Sequence, residues 1–150
     1  MGPEKRNVDH SGVAAEAGHA GPTAPFVLII DDQEGVCSLV AAALAGFGVE
    51  SAIYPTAKPA IVSLDRRRPD AVFLDVALEQ SDAIDVIKGL SEKHYTGIVQ
   101  LMSGGRLPLL EAIQRIGTRY GLVLPPALQK PLRDDDLRRA IVGAGLVKSL

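Results

Sequence analysis

Cysteine is nearly missing from these 150 residues: the single Cys37 allows no internal disulfide, so stability has to come from a packed core, as suits a reducing compartment. No histidine lies near Cys37 in sequence, and its place in an apolar run reads as a small buried hydrophobe rather than a nucleophile. An excess of either charge is also missing. Lys plus Arg number 16 against 18 Asp plus Glu, a net charge of -2, which argues against nucleic-acid binding. Long hydrophobic runs are absent as well: Phe26 to Ile30 and Gly121 to Ala127 fall far short of the roughly 18 residues that a membrane span needs. The first residues show no secretory hydrophobic region, and Arg6 stands where an N-myristoylation signal needs Ser or Thr. The expected location is the cytoplasm, with neither nucleic acid nor membrane as partner.

What is present is 47% hydrophobic and 23% charged, the balance of one globular domain. Residues 1–25 consist of Gly, Ala, Pro, His and charged residues without strand or helix periodicity, and are expected to form a flexible tail. His10 and His19 in that tail lack carboxylate or cysteine neighbours at ligand spacing and are read as solvated. From residue 26 to 147 short apolar runs alternate with helical patterns, the sign of successive strand-helix units on a parallel sheet. Five units can be counted.

Phe26 to Ile30 is a uniformly apolar run suited to a strand buried on both faces, and Gln33 to Ala45 carries a helical stripe of Val36, Leu39, Val40, Ala43 and Leu44. Val49 to Tyr54 reads as a more polar edge strand, followed by a helix capped by Thr56 with Ala60, Ile61 and Leu64 inward. Arg66, Arg67 and Arg68 are expected at that helix's solvated C-terminal end, where positive charge is favoured. Asp70 to Asp75 gives the third strand, Asp82 to Leu90 a helix, and Ile98 to Met102 the fourth strand. Leu107 to Tyr120 is helical. The fifth strand begins at Leu122-Val123-Leu124, where Pro125-Pro126 must interrupt it or confine it to an edge, and a last helix runs from Asp134 to Gly143.

In an open parallel sheet the ligand site lies beyond the carboxyl ends of the strands. Those ends carry Asp31 and Asp32 after the first strand, Asp75 after the third, Ser103 after the fourth, and Lys130-Pro131 after the fifth. Crowded carboxylates repel one another unless a cation neutralises them, and an all-oxygen set suits Mg²⁺. With the cation in place, a lysine and a hydroxyl can take up the remaining charge of a phosphoryl group, and Asp75, alone on the central strand, is the candidate nucleophile.

This set resembles the receiver domains of two-component response regulators, over about residues 25–147. The resemblance implies an α/β flavodoxin-like (βα)5 doubly wound parallel sheet of strand order 2-1-3-4-5, and phosphoryl transfer from a sensor histidine kinase or a phosphotransfer protein. It implies Asp75 as phosphoacceptor, Asp32 as a direct Mg²⁺ ligand, Asp31 as a ligand through water, and the Ala77 backbone carbonyl as a further ligand. Ser103 and Lys130 would bind the phosphoryl group, and the bond before Pro131 would be cis. It further implies a downstream protein partner or a detached effector domain, reached through the face of the fourth helix, fifth strand and fifth helix, and a possible homodimer. Such a domain takes up and loses its own phosphoryl group rather than turning over an external substrate. The stretch from Leu101 to Pro131 is most similar to receivers joined to EAL-type cyclic di-GMP phosphodiesterases.

Some positions depart from the family pattern. Asp75 is followed by Val76-Ala77-Leu78-Glu79-Gln80-Ser81-Asp82-Ala83 in place of a loop with a Met-Pro pair and a Gly, and Ala127 stands where an aromatic residue usually reports the state of the hydroxyl. Ala77 and Gly105 offer no side chain to orient an attacking water, which predicts slow to moderate autodephosphorylation. These departures leave room for a degenerate receiver that binds partners without phosphorylation. A phosphatase of the haloacid dehalogenase type is disfavoured, since its nucleophile follows the first strand and its second Asp lies two residues on, where this chain has Ala77.

Overall fold

The computed structural model describes residues 16–17, 24–78, 82–105 and 107–147. The expected tail therefore lies mostly outside the described residues, as do His10, His19 and Glu79 to Ser81. In chain order the elements are β1 (Glu16–Ala17), β2 (Phe26–Ile30), α1 (Glu34–Gly46), β3 (Glu50–Tyr54), α2 (Ala57–Ser63), β4 (Ala71–Asp75), α3 (Ala83–Glu92), β5 (Ile98–Ser103), α4 (Leu107–Arg119), β6 (Leu128–Gln129) and α5 (Asp134–Gly143). The sheet order is β1-β3-β2-β4-β5-β6. Its five parallel strands, counted from Phe26, run 2-1-3-4-5 as expected. The short β1 was not foreseen: it pairs antiparallel with β3, Glu16 opposite Ala52 and Ala17 opposite Ser51, and so covers what would otherwise be an open sheet edge.

All five residues of β2 and of β4 are buried, because helices cover both faces. Alternation sends Phe26, Leu28, Ile30, Val72 and Leu74 into a core with Ala60 of α2, Val86, Ile87 and Leu90 of α3, and Leu110 and Ile113 of α4. Val27, Ile29 and Phe73 face the other way, onto Val40 and Leu44 of α1 and Leu137 and Ile141 of α5. Each fully buried Leu, Ile or Phe contributes about 1.5–3 kcal/mol of transfer free energy, and these two cores hold the sheet between its helix layers. Among the described residues no helix is long and apolar enough to cross a membrane.

Arg67 departs from the solvated reading of the arginine run. Regular helix α2 stops at Ser63, so the three arginines lie just beyond it; Arg66 and Arg68 are exposed as expected, and Arg67 is the exception. Arg67 pairs with Glu50 Oε1 at 2.6 Å and lies 4.1 Å from the centre of the Phe26 ring. Arg66 donates to the Tyr54 hydroxyl and Arg68 to the Lys93 carbonyl. Glu50, only 5% exposed, is what makes this ion pair matter, and it also shows that β3 is less of a polar edge than its sequence implies. Thr56 is the N-cap of α2 but makes no side-chain cap bond, whereas Asp82 caps α3 by accepting from the Ile84 amide.

The fifth parallel strand is broken, as Pro125-Pro126 demands. Val123 bridges to Ile98, and pairing resumes only with Leu128 opposite Met102. The last strand thus spends one more residue than β5 over the same span, so the ladder between them is interrupted. Gln100, buried in the middle of β5, fills the break by donating from Nε2 to the Pro126 carbonyl at 2.9 Å and to the Leu101 carbonyl at 3.2 Å.

Candidate functional site

Three parallel ladders each run one residue past an apolar strand, and these extra bonds set the level of the site. The Asp31 amide donates to the Tyr54 carbonyl, the Val76 amide to the Met102 carbonyl, and the Lys130 amide to the Ser103 carbonyl. Asp31, Asp75, Ser103 and Lys130 are thereby brought to the same carboxyl edge of the sheet. The chain between them reverses in ways the backbone permits. Gly105, with φ of 104°, takes a conformation that a side chain would disfavour, and its amide donates to Ser103 Oγ at 3.3 Å.

Asp31, Asp32 and Asp75 each place one carboxylate oxygen within 4.8 Å of the others. Asp31 and Asp75 are buried, and Asp32 is half-buried. Lys130 reaches across from the fifth strand: its Nζ lies 2.9 Å from Asp31 Oδ2 and 3.4 Å from Asp75 Oδ1. The Gln33 amide donates to Asp31 Oδ1 at 2.8 Å, and the Ala77 amide to Asp75 Oδ1 at 3.0 Å. Burial pushes the Asp31 carboxyl above its ordinary value, and the neighbouring Asp75 charge adds to this, against the Gln33 amide and the Lys130 ammonium. Three carboxylates gathered this closely repel one another, and the Lys130 ammonium lies against two of them. An all-oxygen donor set of this kind fits a small hard cation such as Mg²⁺.

Every residue singled out for the site from sequence lies at this edge: Asp31, Asp32, Asp75, Ala77, Ser103 and Lys130. The Lys130-Pro131 bond is cis, as the resemblance implied. Cys37 is buried and its thiol donates to the Asp31 carbonyl at 3.1 Å, in keeping with a structural role. Burial, with the Asp31 charge next, pushes that thiol up to about 12. Two residues at or behind the site were missed. Gln33 accepts from Lys130 Nζ at 2.6 Å, and Gln100 braces the loop that leads to Lys130. The only sequence signal for Gln33 was its place directly after the acidic pair, and for Gln100 a polar residue inside an apolar strand.

A family model described as the response regulator receiver domain matches residues 27–142. Among solved structures, the receiver domain of NtrX from Brucella abortus is 27% identical, with a TM-score of 0.68 over 82% of this chain and 99% of that one. A longer structure of NtrX from the same organism is 26% identical, with a TM-score of 0.71 over 81% of this chain and 27% of that one. The luminescence regulatory protein LuxO of Vibrio campbellii is 26% identical over 117 residues, which are 77% of this chain. This chain spans about a quarter (24%) of that relative's length. The match over most of the described fold, the 2-1-3-4-5 parallel sheet and the acidic cluster at its carboxyl edge together establish that the chain belongs to the response regulator receiver domain family, the phosphoacceptor modules of two-component signalling.

Proposed function

We propose that Asp75 is the phosphoacceptor of this receiver, with Asp31, Asp32, Asp75 and the Ala77 carbonyl holding Mg²⁺ and Ser103 and Lys130 binding the transferred group. The observation that carries this reading is the close set of three carboxylates with the Lys130 ammonium against two of them. Asp75 ends a strand buried on both faces, and its Oδ1 is steadied by the Ala77 amide. A carboxylate oxygen of Asp75 attacks phosphorus in a phosphohistidine of a sensor kinase or phosphotransfer protein. The new P–O bond forms as the P–N bond breaks, and the imidazole nitrogen keeps the electron pair. The cation, when bound, supplies positive charge to the phosphoryl oxygens. Lys130 neutralises a further oxygen, and the Ser103 hydroxyl, which now accepts from the Gly105 amide, turns to donate to another.

The functional unit is taken as residues 26–147, preceded by a segment at 1–25 of which Glu16–Ala17 joins the sheet edge. The family match to 27–142 and the burial of Leu146 in the core support that boundary. The domain acts in the cytoplasm on a downstream protein partner or effector domain, with a homodimer as one form of output. Since Ala127 provides no aromatic ring, the change at Ser103 passes through the Ser103-Gly104-Gly105 loop into α4, toward the face of α4, β6 and α5.

The test is exposure to acetyl phosphate, or to beryllofluoride, with Mg²⁺, read by intact mass and NMR in the wild type and in Asp75→Asn. A Mg²⁺-dependent mass gain that Asp75→Asn abolishes is expected. Absence of both mass gain and spectral change in the wild type overturns the assignment of Asp75.

A further inference from the structure

The Lys130 ammonium does not sit evenly between its acidic neighbours. It has three protons to donate; one acceptor is Asp31 Oδ2 at 2.9 Å and another is Gln33 Oε1 at 2.6 Å, while Asp75 Oδ1 stands back at 3.4 Å. Gln33 touches this arrangement twice, since its own amide donates to Asp31 Oδ1 at 2.8 Å. A closed ring results, from Asp31 to Lys130 to the Gln33 side chain and back through the Gln33 backbone to Asp31. Gln33 is the residue just before α1, with an extended backbone (φ -96°, ψ 109°), and its side chain makes no cap bond to the helix. The amide is therefore spent on Lys130 rather than on the fold.

We propose that Gln33 is a positioning residue that holds Lys130 on the Asp31 side of the site and away from Asp75, so that it sets how readily the lysine engages a phosphoryl group. The proposal rests on the reading of Asp75 as acceptor. A cation added to the carboxylates competes with Lys130 for Asp31 by charge, whereas the neutral Gln33 oxygen keeps its acceptor strength. Engagement of a phosphoryl oxygen on Asp75 then requires the Lys130–Gln33 bond to stretch or break. Removing the Gln33 acceptor lowers that barrier, and strengthening the hold with a charged acceptor of the same reach raises it.

Two measurements on the full chain test this. In metal-free protein, the side-chain ammonium resonance of Lys130 in ¹⁵N-lysine spectra reports its bonds directly. Gln33→Ala is expected to move that resonance and speed its proton exchange, and Gln33→Glu to restore slow exchange. In the presence of Mg²⁺, beryllofluoride is expected to bind Gln33→Ala about threefold to tenfold more tightly than wild type, the range that one ordinary hydrogen bond in an exposed setting gives, and Gln33→Glu more weakly. A purely structural Gln33 would change melting temperature and neither readout. An unmoved Lys130 resonance in Gln33→Ala, or equal or weaker beryllofluoride binding there, overturns the proposal. If wild type binds no beryllofluoride, the Asp75 assignment falls instead, and the metal-free lysine spectra still decide the role of Gln33.

Discussion

Replacing Gln100 by leucine tests whether the broken fifth strand depends on one amide. Gln100 is 3% exposed, and its Nε2 serves the Pro126 carbonyl at 2.9 Å and the Leu101 carbonyl at 3.2 Å. Leucine fills about the same space, so the cavity term is small and the cost is that of the lost bonds. At about 0.5–1.5 kcal/mol net for each bond, offset in part by the apolar gain of leucine, the loss comes to about 1–2 kcal/mol. For a domain of this size that lowers Tm by about 4–10 °C, measured by calorimetry with the midpoint of urea unfolding as a check. Gln100→Glu is the sharper variant. It keeps the shape but offers no proton to either carbonyl at neutral pH, and it buries a charge, for a cost of about 3 kcal/mol or more. Burial raises the folded pKa of such a carboxyl above the unfolded one, so the penalty is complete only above the raised value and is relieved as pH falls through it, where the protonated acid donates again. Gln100→Leu as stable as wild type, or Gln100→Glu with no recovery on acidification, would refute the view that this amide bridges the break.

Arg67→Ala removes both the ion pair to Glu50 and the stack on Phe26; a loss of about 1–3 kcal/mol is expected from urea unfolding, and a change within error would show the arginine to be solvated. The Cys37 thiol, pushed up to about 12 by burial, is expected not to react with Ellman's reagent at pH 8 in folded protein and to react fully in urea. Its raised folded value also means that stability falls as pH rises through the unfolded value near 9, because only the unfolded chain then loses the proton. The phosphorylated form is expected to decay at a slow to moderate rate, and Ala77→Asn, which adds an amide able to orient water, to speed decay about tenfold or more by timed intact mass; equal decay rates would remove Ala77 from the explanation.

The pattern of buried runs and helical stripes was legible in the sequence because the central parallel strands are covered on both faces. Phe26 to Ile30 and Ala71 to Leu74 had to be apolar throughout, and α5 from Asp134 to Gly143 carries its acidic first turn where the helix dipole favours it. The site was legible for a related reason: ligand groups follow strand ends, so Asp31, Asp32, Asp75, Ser103 and Lys130 could be picked out by position and chemistry together. The edges were less readable. A two-residue strand such as Glu16–Ala17 has no periodicity to show, and the arginines after α2 look like any charged helix end until Glu50 is found buried beside them.

Sequence alone therefore determined the layered α/β architecture, the acidic edge and the family, since these depend on residue type and order along the chain. Tertiary structure decided the rest. The bond from Lys130 to Gln33 joins residues 97 apart, and the bond from Gln100 to Pro126 joins residues 26 apart. Partners at such separations are fixed by strand register and by the one-residue excess in the last strand, and no local periodicity records either.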